Sequence, residues 1–74
     1  MAKARPDRVN PRLAKMAIEA ASNRRAAYSQ CVILSYQSTG RLAPGFDNKD
    51  LQAWIDINYP RLFDQKGKKI RGNP

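Results

Sequence analysis

One helical stripe in the middle of the chain restricts its fold more than any other feature. Leu13, Met16, Ala17, Ala20, Ala27, Tyr28, Cys31 and Leu34 recur at about 100° per residue, the spacing of a single helix face. Lys15, Glu19, Ser22, Arg25 and Ser29 fall on the opposite side. Asn10 followed by Pro11 marks a start, an Asn cap and then a proline where a missing N–H costs nothing. Ser38-Thr39-Gly40 marks a stop. The pattern predicts one helix over about 11–37, roughly 27 residues and about 40 Å long. Arg24 interrupts the stripe; either its stem covers apolar surface while the head reaches water, or it faces a phosphate or an acidic partner. Ile33 lies on the polar side and, with Val32 and Tyr36, predicts cover on more than one face, part of it from another molecule.

The breaker-rich "RLAPG" then makes a turn. Asp47 reads as the cap of a second helix over about 48–58, with Asp50 three residues on, near the positive end of the helix dipole. Phe46 and Leu51 are spaced for a hydrophobic staple, Leu51, Trp54, Ile55 and Asn58 share a face, and Pro60 stops the helix. The expected fold is all-α: an antiparallel helical hairpin over residues 10–60, with 1–9 and 61–74 as extended basic arms. Leu62 and Phe63 are placed to fold back on its open end. With so few apolar side chains set against an ordering cost of about 1.5 kcal/mol per residue, order is expected mainly within a complex.

Charge is distributed as unevenly as apolarity. The 74 residues carry a net charge of +8 without a histidine. Residues 1–25 hold seven Lys/Arg against Asp7 and Glu19. Residues 26–60 hold Arg41 and Lys49 against Asp47, Asp50 and Asp56. Residues 61–74 hold five Lys/Arg against Asp64. A neutral centre between cationic ends points to a polyanion, because each neutralised phosphate releases condensed counterions.

Other classes fit less well. No apolar run approaches the roughly 20 residues of a bilayer span, and no signal-peptide pattern opens the chain. Without histidine and with Cys31 as the one cysteine, neither a zinc site nor a Cys–His nucleophile pair can be assembled. The four glycines are too scattered to cradle a phosphate in one loop. The reading is a non-enzyme that needs no cofactor and no small-molecule substrate, with Cys31 as a small buried hydrophobe.

Two stretches bear on family. "AAYSQCV" and "GRLAPGF" resemble the first helix end, connecting turn and second helix start of the coiled-coil-helix-coiled-coil-helix class of small mitochondrial proteins. "INYPRLFDQKGKKIRGNP" is similar to the basic extension of the class member found in the mitochondrial ribosomal small subunit. Cys31 would stand at one cysteine of that class. Its other three would fall at Ala21, Asp47 and Ile57, so neither of the class's disulfides can form here. The resemblance implies a helical hairpin with a basic tail, a mitochondrial (matrix) location, or otherwise a cytoplasmic one, and a place in the ribosome.

The leading expectation is therefore a structural ribosomal subunit that binds rRNA and docks on neighbouring ribosomal proteins. Its phosphate contacts would be Arg5, Arg8, Arg12, Lys15, Arg24 and Arg25 in front and Lys66, Lys68, Lys69 and Arg71 behind. Tyr59 and Phe63 are candidates for stacking on an unpaired base, with core packing as the plainer alternative. A second reading is an assembly factor or accessory subunit of a respiratory complex, burying Val32, Ile33, Tyr36 and Trp54 against protein. A small DNA-binding protein ranks third, because the long first helix and the connection lack the short helices and tight turn of a helix-turn-helix.

Overall fold

Asn23 decides the architecture. A short amide side chain competes for nearby backbone N–H groups and so favours a cap over a helix interior. Here its Oδ1 accepts from the Ala26 N–H at 2.7 Å, and the backbone at Ala21 turns to an extended ψ of 142°. The computed structural model, which describes residues 3–70, consequently has two helices where the stripe predicts one. These are α1, Pro11–Ala20, and α2, Arg24–Thr39, followed by α3, Asn48–Asn58. The molecule is all-helical, with only isolated β-bridges outside the helices among the described residues. Its longest dimension is 37 Å, short of the about 40 Å an unbroken first helix would span.

The break divides the inward face between two helices: Ala14, Ala17 and Ile18 are buried on α1 and Ala27, Cys31 and Ser35 on α2, with Met16 and Ala20 of the predicted stripe exposed. It also changes the pairing. The principal helix pair is α1 with α2, both inside the span expected to be one helix, and α2 meets α3 only sparingly. The predicted hairpin of a long first helix against α3 is thus replaced by a three-helix arrangement.

Several local signals are found as read. Asn10 Oδ1 accepts from the Arg12 and Leu13 N–H groups, so the cap before Pro11 is made. Gly40 closes α2 in the left-handed region at φ 77°, its N–H returning to the Tyr36 carbonyl. Asp47 and Asp50 form a reciprocal capping box on α3, and Phe46 and Leu51 are both buried. Leu51, Trp54 and Ile55 of α3 complete the core with Val9, Phe46 and Phe63.

Neither end is an extended arm among the described residues. In front, Pro6–Arg8 forms a 3-10 turn that lies against α3, and Val9 is buried. The Arg5 N–H donates to the buried Asp50 Oδ1 at 2.7 Å. Behind, residues 62–70 close into a tight loop: Asp64 N–H to the Lys68 carbonyl at 2.8 Å, and Ile70 N–H to the Leu62 carbonyl at 2.9 Å. The physical reason is common to both ends: each carries one apolar anchor, Val9 or Phe63, that the core can bury.

Candidate nucleic-acid interface

The tail loop lands on the α1–α2 joint, and this placement brings cations of the tail beside cations of the first two helices. Capping by Asn23 leaves the Arg24 N–H without a partner inside α2, as at any helix start. The Gly67 carbonyl accepts from it, and Asn23 and Lys68 pair as an antiparallel bridge. Gly67 adopts φ +84°, where other residues are strained, and a Cβ there would lie 3.6 Å from the Arg24 Cβ. Asp64 shapes the loop, its Oδ1 accepting from the Lys66 N–H at 2.9 Å and the Lys68 N–H at 3.0 Å. Lys69 Nζ donates to the Glu19 carbonyl at 3.1 Å, tying the loop to the end of α1.

Cations distant in sequence therefore meet along one seam. Lys15 and Lys69 line a groove of about 360 Å³ with Ile18, Glu19, Tyr59 and Leu62. Lys68 and Lys69 line a second with Ser22, Asn23 and Ile70. Arg25 and Lys66 line a third with Arg24, Asn48, Gln52, Asp64, Gln65 and Gly67. The joint thus carries Lys15, Arg25, Lys66, Lys68 and Lys69, while Arg71 lies outside the described residues.

Other expected contacts are placed elsewhere. Arg24 pairs through its guanidinium with Asp56 of α3, so an acidic partner for it is found within the same chain. Arg5 precedes and Arg8 ends the turn against α3, with the Arg5 guanidinium 3.6 Å from Asp7. Arg12 lines a different groove with Met16, Ser35 and Thr39. The expected phosphate ligands among the described residues therefore do not form one site.

Both aromatic candidates are constrained by the core. Phe63 is buried, and its burial leaves no face for a base. Tyr59 is half-buried, edge-on to Trp54 with ring centroids 5.6 Å apart, and it also lines the groove of Lys15 and Lys69. Trp54 is 8% exposed and belongs to the core, which removes it from the expected protein-binding face. Ile33 and Tyr36 remain 48% and 56% exposed on α2, beside the half-buried Val32.

The sequence pattern of glycine among cations suggests close backbone approach to a phosphate; the structure instead has Gly67 and Asp64 shape the turn that positions the loop cations, a role of Asp64 not foreseen. The signal was present: an Asp three residues before a Gly marks a side-chain-stabilised turn. Cys31 is buried and unpaired, and burial pushes its thiol up to about 11. Among the described residues, no cluster of three or more metal-ligating side chains occurs, and no helix is long and apolar enough to cross a membrane. No family model, curated protein or solved structure matches the chain.

Proposed function

We propose that the chain is an RNA-binding structural subunit of a ribosome, in the reading of its resemblance the mitochondrial small subunit in the matrix. One observation carries this proposal. The fold brings Lys15 and Arg25 of the helical segment beside Lys66, Lys68 and Lys69 of the tail, with a glycine-containing loop between them. Dispersed cations on a solvated surface need no such gathering. Concentrating five of them at one joint costs mutual repulsion, which a bound phosphate backbone offsets. The ends serve as docked presenters of charge, and rRNA is the partner, with neighbouring ribosomal proteins beside it.

A second reading rests on α2. Ile33 and Tyr36 stand exposed, and this suits a protein-binding subunit or assembly factor of a respiratory complex. Co-sedimentation from organelle lysate before and after RNase treatment separates the two. Migration with a ribosomal subunit that RNase abolishes supports the RNA reading. Retention in a membrane complex after RNase overturns it in favour of α2.

A further inference from the structure

The groove of about 360 Å³ between α1 and the tail differs from its neighbours in having an apolar floor under a cationic rim. Ile18 is buried at its base, with Leu62 and Tyr59 half-buried beside it. The Tyr59 ring meets the Trp54 ring in an edge-to-face pair with centroids 5.6 Å apart, and Tyr59 is half-buried, so part of it remains accessible. Above this floor stand Lys15 from α1 and Lys69 from the tail, and the Lys69 ammonium is held by the Glu19 carbonyl. A purely structural cleft has no use for two ammonium groups over an aromatic floor. A free phosphate has no use for the floor.

We propose that this groove seats one unpaired nucleotide of the bound RNA. The base lies on Tyr59 and Leu62, and the flanking phosphates sit between Lys15 and Lys69. Charge complementarity selects this occupant: an apolar ring with anionic groups on its edges matches an apolar floor with cations on its rim. Stacking on an aromatic side chain beside backbone-tracking cations is the general mode of single-strand binding. Glu19 also lines the groove, and its backbone carbonyl holds the Lys69 ammonium at 3.1 Å. The rest of the seam then reads phosphate alone. This inference rests on the RNA reading above and adds a base site to it.

The test uses the full chain and two short ribose-phosphate strands of equal length and charge. One is abasic throughout, and the other carries a single central 2-aminopurine. The expected result is tighter binding of the second strand by about 5- to 150-fold, the usual range for one stacked base. Its fluorescence should be quenched on binding, and Tyr59→Leu should abolish both the quenching and the preference. Equal affinity for the two strands, with no quenching, overturns the nucleotide seat while leaving the phosphate-binding seam intact. Failure to bind either strand at low salt overturns the RNA reading and the seat together. The comparison on the unaltered protein decides the matter even if Tyr59→Leu fails to fold.

Discussion

Replacing Lys66, Lys68 and Lys69 together by alanine tests whether the seam acts as one electrostatic surface. Five cations stand there, Lys15, Arg25, Lys66, Lys68 and Lys69. Each phosphate contact on a single strand contributes about 0.7 to the slope of log affinity against log salt, so five give about −3.5. Raising salt fourfold, from about 50 to about 200 mM, should then weaken binding by roughly 130-fold. The triple variant keeps two contacts and a slope of about −1.4, so the same change should cost only about 7-fold. Fluorescence anisotropy of a labelled single-stranded RNA over a salt series reads both slopes. Lys15→Ala with Arg25→Ala should flatten the slope by about 1.4, because two contacts are lost on the same surface. The reasoning is refuted if the triple variant leaves the slope unchanged. It is equally refuted if Arg5, Arg8 and Arg12, on other parts of the surface, flatten it more than the tail lysines do.

Further outcomes follow from the fold itself. Phe63→Ala removes the anchor of the tail loop and should cost about 3–5 kcal/mol, the usual range for a buried Phe; hydrogen exchange at the Arg24 amide, now bonded to the Gly67 carbonyl, should rise in parallel. Asn23→Ala should destabilise by about 0.5–2 kcal/mol through loss of the α2 cap, read as a lower Tm. Asp50 sits below the ordinary carboxylate value of 3.8, chiefly because the Arg5 backbone N–H donates to it, with the Asp47 N–H adding to the effect against desolvation. Its contribution is therefore complete above pH 3.8 and is lost as pH falls through the lowered native value, so Tm against pH should flatten on the acid side in Asp50→Asn. With its thiol pushed up to about 11 and buried, Cys31 should react with a thiol reagent at mildly alkaline pH only as fast as the fold opens.

What the sequence determined by itself is local. Asn10-Pro11 and Asp47 with Asp50 cap backbone a few residues away, Gly40 turns the chain at a positive φ, and Pro60 lacks the N–H a helix needs, so their geometry travels with the sequence. The boundaries of α3 and the ends of α1 and α2 farthest from their joint were legible for that reason. The apolar identity of Leu51, Trp54 and Ile55 likewise put them in the core, because burial is the cheapest fate of such a face. The tertiary structure decided the rest. Asn23 supplies a local cap for α2, but whether that cap wins over a continuous helix also depends on a partner for the Arg24 N–H that the break frees, and that partner is the Gly67 carbonyl, more than forty residues away in sequence. Helical periodicity carries no trace of it, since a three-residue break leaves most of the stripe in phase. The same loop closure gathers Lys15 and Arg25 with Lys66, Lys68 and Lys69, while the meeting of α2 with α3 gives Arg24 to Asp56. Composition counts charges, but only the path of the chain in space decides which of them are neighbours.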